Sequence, residues 1–158
     1  MSGDGLKVAG LGATGAVGTE LLRLLAARGV PIAGDPVVLA SARSAGRTVR
    51  WRDGEVTVRE VSAGAFDGID VALFSAGATR SREWASVAAA AGAVVVDNSS
   101  AFRGDPEVPL VVSEVNPEAA AVRPKGIIAN PNCTTMALVV PLKPLHDAFG
   151  LTSMVVSS

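Results

Sequence analysis

The sequence holds one cysteine, one histidine and no tyrosine, and aromatic residues make up only 4% of it. A single cysteine excludes an internal disulfide and any zinc site built from several cysteines, and no metal is expected. The shortage of aromatics beside plentiful alanine and valine points away from an aromatic-rich sandwich and towards thin packing of helices on a sheet. Charge of one sign is also missing. The net charge of -1 gives no basic footprint for nucleic acid. Arginines are scattered, with local clusters at residues 43–52 and at Arg80 and Arg82. No apolar run reaches the ~18 residues of a membrane span. The longest, residues 87–96, is an alanine-rich run broken by Gly92. The N-terminal Met-Ser-Gly-Asp-Gly-Leu-Lys has no charged stretch leading into an apolar one, so it does not read as a signal peptide. A cytoplasmic protein is expected.

What is present is 158 residues, room for one ordinary domain with a real core. Seventeen glycines imply many turns and close backbone approaches. Residues 7–11 form an apolar run that reads as a buried first strand, followed by a glycine turn. Val17, Leu21, Leu24 and Leu25 then share one helical face, and Gly29 ends that helix. Further strands are expected at residues 36–41, 69–75, 94–97, 110–113 and 126–129. Asp53-Gly54 between residues 47–52 and 55–61 signals a hairpin. Helices are expected at 83–91, closed by Gly92, and at 134–149 despite Pro141 and Pro144; residues 151–158 read as a last strand. Strands alternating with helices predict an α/β fold: a doubly wound, mostly parallel sheet of Rossmann type.

Gly10-Leu-Gly12-Ala-Thr14-Gly15-Ala16-Val17-Gly18 lies between the first strand and the first helix. Glycines there let the backbone turn tightly against a pyrophosphate, and the helix start offers free N–H groups and the positive end of its dipole. The strand-turn-helix context is the one this motif requires. A site for NAD usually has an acid at the end of the second strand. This strand ends Ala40-Ser41-Ala42-Arg43-Ser44, with no acid. Arg43 with Ser41 and Ser44 suits a 2′-phosphate through charge-assisted hydrogen bonds, which argues for NADP. The other reading of Arg43 is a solvated surface charge.

Asn130-Pro-Asn132-Cys133-Thr134-Thr135 precedes the long apolar helix. A helix N-terminus favours a thiolate, which makes Cys133 a candidate nucleophile, and Asn132 beside it a candidate donor to an oxyanion. A lone cysteine otherwise packs as an inert apolar residue. Thr134 and Thr135 are candidate helix caps. His146 is a poor base for Cys133, because thirteen helical residues separate the two by about 20 Å. It fits better near the helix C-terminus, where a cation suits the dipole.

Taken in order, Gly12 to Gly18, Ser41 to Ser44, Phe74-Ser75-Ala76-Gly77, Asp97 to Arg103, Val108 to Asn116 and Asn130 to Thr135 resemble aspartate-semialdehyde dehydrogenase, particularly its bacterial forms. The resemblance spans almost the whole chain. It implies reduction of L-4-aspartyl phosphate to L-aspartate 4-semialdehyde with NADPH and release of phosphate, in the synthesis of lysine, threonine and methionine. It makes Cys133 the nucleophile that forms a thioester, Asn132 its neighbouring asparagine and Arg103 the phosphate-binding arginine. Ser75 and Gly77 would line the cofactor, with Ser99 and Ser100 near it. N-acetyl-glutamyl-phosphate reductase shares the chemistry but usually sets its cysteine in Asn-Pro-Gly-Cys-Tyr. Glyceraldehyde-3-phosphate dehydrogenase normally ends its second strand in an acid suited to NAD.

The departure from the family is length, since its members run much longer. Residues 1–132 are expected to form the NADP-binding domain. Residues 133–158 would be the nucleophile helix and first strand of an incomplete catalytic and dimerisation domain, without the family's acid–base histidine. Full-length members are expected to be homodimers. This chain is expected to self-associate or bind a completing partner, or else to act as a non-catalytic NADP-binding or partner-binding module.

Overall fold

A computed structural model describes residues 5–157. Met1 to Asp4, the start of the segment read as no signal peptide, and Ser158 lie outside them. Eight strands and three α-helices follow one another as β1 Val8–Leu11, α1 Ala16–Ala27, β2 Val37–Ala40, β3 Thr48–Trp51, β4 Gly54–Thr57, β5 Arg59–Glu60, β6 Val71–Phe74, α2 Ala78–Ala90, β7 Val94–Asp97, β8 Ile127–Ala129 and α3 Cys133–Phe149. Six strands form one sheet in the order β5-β2-β1-β6-β7-β8, and every pairing in it is parallel. This is the doubly wound order, with its switch point between β1 and β6. β3 and β4 form a separate antiparallel hairpin inserted between β2 and β5.

The two faces of the sheet are built differently. Ala72, Phe74, Val95, Ile127 and Ala129 point to one face, where they are buried with Ala85 and Ala88 of α2. Small residues on α2 let it sit close to the strands, and Phe66 and Trp84 fill the margin with their rings 6.4 Å apart. The opposite face is covered over β1 and β2, where Val8, Val38 and Ala40 pack with Leu22 of α1 and Trp51 of the hairpin. Over β6, β7 and β8 that same face is only half covered: Val71, Leu73, Val94, Val96 and Ile128 all remain partly exposed. Parallel sheets are ordinarily covered on both faces, so this half-sheet stands out.

Several expectations are corrected. Of the apolar stripe Val17, Leu21, Leu24 and Leu25, only Leu25 packs against the buried cluster beneath α1. Gly18 and Leu22 are buried instead, and Val17 is half exposed. The helix turns its glycine inward because only a hydrogen at Gly18 fits against the β1–α1 turn. The hairpin turns at Arg52 and Asp53, and Gly54 already stands in β4 opposite Trp51. α2 begins at Ala78, five residues before the expected start. Residues 110–113 make only an isolated bridge, Leu110 to Ala129, rather than a strand. Residues 151–157 have no regular structure and are exposed, because no described strand lies beside them to accept their hydrogen bonds.

Candidate active site

The first turn of α1 stands at the C-terminal edge of β1, where β2 and β6 diverge. Gly12 has a φ of 85°, and a Cβ built there would lie 2.6 Å from the Ser75 carbonyl oxygen. The turn therefore presses directly on the end of β6, which a side chain would prevent. Gly12 N–H donates to Leu39 O of β2, and Ser75 N–H donates to Leu11 O. Gly15 is the N-cap of α1 and contributes no capping side chain, so the first N–H groups of the helix are open to a ligand.

Around this turn lies a cleft of about 510 Å³. Gly12, Thr14 and Gly15 line one side, Ser41, Arg43 and Ser44 another, and Ser75 its floor; Arg80 also reaches it. Among the described residues no carboxylate lines it. Ala16 and Val17, also expected at the cofactor, face a neighbouring apolar groove of about 690 Å³ together with Leu21, Leu24, Val96, Asn130 and Cys133. Gly77 caps α2 with a φ of 82°, next to the cleft residue Ala76.

Ser99 has another task. Its hydroxyl donates to Asp97 Oδ2 at 2.7 Å and accepts from Ala101 N–H at 3.0 Å. Asp97 is fully buried and also accepts from Ser81 Oγ at 2.7 Å and Ser99 N–H at 3.1 Å. A buried carboxylate is costly unless its oxygens are hydrogen-bonded, and here each oxygen has a hydroxyl donor. The group ties α2 to the loop after β7 and holds that loop's shape. Ser100 is exposed beside it. Asp97 has a structural task that the motif Asp97 to Arg103 does not reveal in sequence. The alternation of burial along β7 is the signal that places it inward.

That loop carries Arg103. Its Nε donates to Asn130 O at 2.8 Å and its Nη2 to Asn98 O at 3.2 Å. The guanidinium thus spans the ends of β7 and β8 and keeps further N–H groups for an anion. Beyond it, Asp105 is held below the usual carboxylate range, first by a hydrogen bond from Lys125 and then by the Glu107 N–H. Lys125 is pushed up in turn, first by Asp105 and then by Glu107. The tie is lost as pH falls through the lowered Asp105 value or rises through the raised Lys125 value, so it holds across neutral pH.

Cys133 opens α3 and is exposed. The cap of this helix is Asn132 rather than Thr134 or Thr135. Its Oδ1 accepts from Thr134 N–H at 3.0 Å and Thr134 Oγ1 at 2.6 Å. The thiol of Cys133 makes a loose contact of 3.8 Å with the same oxygen. The amide NH₂ of Asn132 is the part left to serve as a donor. His146 lies in the last turn of α3, where Gly150 N–H bonds its carbonyl. Among the described residues there is no cluster of metal-binding side chains, and no described helix is long and apolar enough to cross a membrane.

A family profile described as Semialdehyde dehydrogenase, NAD binding domain, matches residues 7–122. The chain belongs to that family. Relatives named aspartate-semialdehyde dehydrogenase include one from Synechocystis sp., 53% identical over 97% of this chain and 45% of that protein. Another, from Bacillus subtilis, is 47% identical over 99% of this chain and 44% of its own length. Among solved structures, aspartate semialdehyde dehydrogenase II from Vibrio cholerae aligns with a TM-score of 0.88 and 49% identity, over 92% of this chain and 44% of that one. The enzyme from Candida albicans, solved with NADP, aligns at 0.74 and 32% identity, over 92% of this chain and 48% of that one. The chain therefore spans somewhat less than half the length of these relatives. The Rossmann-type nucleotide-binding fold expected from the sequence is the fold of the family.

Proposed function

We propose that this chain is the NADP-binding, nucleophile-bearing part of an aspartate-semialdehyde dehydrogenase. On this reading it acts in the cytoplasm, in the reduction of L-4-aspartyl phosphate to L-aspartate 4-semialdehyde for lysine, threonine and methionine synthesis. The observation that carries the reading is one cleft at the switch point of the sheet. It gathers the Gly12–Gly15 turn with Ser41, Arg43 and Ser44 and, among the described residues, no carboxylate. Open N–H groups suit a pyrophosphate, and the guanidinium and hydroxyls suit a 2′-phosphate that an acid would repel.

Cys133 attacks the carbonyl carbon of the acyl phosphate through Sγ. The C–O bond to phosphate breaks, phosphate leaves with the electron pair, and a thioester remains on Cys133. Arg103 holds the phosphate with the N–H groups not used on Asn98 and Asn130, and the Asn132 amide donates to the oxyanion. NADPH held by the Gly12–Gly15 turn with Ser41, Arg43 and Ser44 would supply the hydride for reduction of the thioester carbonyl. Cleavage of the C–S bond then frees the aldehyde and restores the thiolate. On this reading residues 133–158, from Cys133 onward, belong to a second, catalytic and dimerisation unit.

A second reading, a non-catalytic NADP- or partner-binding module, is favoured by one observation: the only side-chain partner of the Cys133 thiol among the described residues is Asn132. The enzyme reading, and the NADP-binding form of the second, require the cleft to take NADP. Calorimetry of the chain with NADP and NAD tests this. NADP should bind about tenfold or more tighter, as charge-assisted hydrogen bonds to one phosphate contribute roughly 1.5–3 kcal/mol, and Arg43→Ala should remove most of the difference. Equal affinities for the unsubstituted chain would contradict the reading.

A further inference from the structure

Arg80 is oddly placed for an ordinary helix residue. It is the third residue of α2, after the N-cap Gly77, and the first turn of that helix has no acid. The helix start carries the positive end of the dipole, where a cation is disfavoured. Glu83, one turn further on, offsets this through a 2.7 Å contact from Arg80 Nη1, but both side chains are nearly half exposed, 47% and 45%. Exposed pairs of this kind are screened and exchange readily. Among the described residues Nη1 is the only Arg80 donor so engaged, and Nε and Nη2 remain for another acceptor.

The side chain also lines the same cleft as Arg43, Ser41 and Ser44. The two arginines come from opposite sides of the glycine turn, since Arg43 follows β2, Arg80 follows β6, and both strands pair with β1. Among the described residues the cleft therefore has two cations, two helix starts beside it and no anion of its own. A phosphate monoester carries close to two charges and three acceptor oxygens. One guanidinium grips at most two of them in the paired geometry.

We propose that Arg80 is a second arginine for the 2′-phosphate of NADP, closing on it from the α2 side while Arg43 holds it from the β2 side. Resting on the NADP reading above, it makes Arg80 a determinant of cofactor choice. Its sequence signal is a cation in the first turn of a helix that lacks an acid.

The test is titration calorimetry of the 158-residue chain with NADP and with NAD, for the unsubstituted protein, Arg80→Gln, Arg80→Lys and Glu83→Gln, with thermal melts to confirm folding. Arg80→Gln should lower NADP affinity about tenfold and leave NAD affinity unchanged, the size expected for one charge-assisted contact. Arg80→Lys should recover part of the loss, and Glu83→Gln should leave NADP binding equal or tighter. An NADP preference that survives Arg80→Gln intact would overturn the assignment while the NADP reading stands. So would an equal loss for both cofactors, which would put Arg80 on a part they share. Equal affinities before any substitution would instead overturn the NADP reading, and this assignment with it.

Discussion

At the scale of single residues, two glycines set the distance between α1 and the sheet. A Cβ on Gly18 would lie 2.4 Å from Gly12 O and 2.5 Å from Ala13 Cα, both backbone atoms that cannot rotate away. Gly18→Ala should therefore push α1 outward, at a cost of about 1–3 kcal/mol typical of overpacking, and weaken NADP as the turn shifts. Urea unfolding checks it, and an unchanged midpoint would show that the helix has room to spare. The spacing of these glycines was legible in the sequence, as were Ser41, Arg43 and Ser44, because the turn and the strand end that carry them are local. The engagement of Ser99 was not legible. Its partner Asp97 is only two residues away, but the buried setting depends on Ser81, sixteen residues back from Asp97 on α2. Arg80 was not read either, since nothing local shows that the start of α2 borders the end of β2.

At the scale of elements, period and punctuation placed most strands and helices. The errors have physical causes. α1 presents Gly18 inward, and a glycine adds nothing to an apolar stripe, so the sequence face and the buried face differ. Residues 151–157 have strand-like composition but no described neighbour to pair with. α3 runs unbroken through Pro141 and Pro144 with none of its residues fully buried. Its length has a chemical consequence, because Cys133 is at its first residue and His146 is in its last turn, about 20 Å away. His146 cannot serve the thiol as acid or base. A general acid–base group contributes ~10²–10⁴-fold. The chain alone should therefore show no measurable phosphate-dependent NADP reduction with aspartate semialdehyde. Steady turnover abolished by Cys133→Ser would mean that another group among these residues does the work.

At the scale of the whole molecule, the sheet is covered on the α2 face and, on the other, covered over β1 and β2 but only half covered over β6, β7 and β8. Val71, Leu73, Val94, Val96 and Ile128 are partly exposed there, and the groove beside them runs from Val17 and Leu21 to Cys133. α3 adds Val140, Leu145 and Phe149, exposed by 37%, 47% and 81%. Single chains rarely leave apolar patches beyond a few hundred Å² uncovered. The isolated chain should accordingly self-associate, with a sedimentation coefficient that rises with concentration; a constant monomer value at high concentration would contradict this. The cleft of the Gly12–Gly15 turn is lined by a different set of residues, Ser41, Arg43 and Ser44 among them. The central claim is that the cleft binds NADP, and amide chemical-shift mapping by NMR during titration with NADP tests it most directly. Perturbations should concentrate at residues 12–17, 41–44 and 75–80 and spare the β3–β4 hairpin tip. Shifts confined to other residues, or no saturable shifts, would contradict the account.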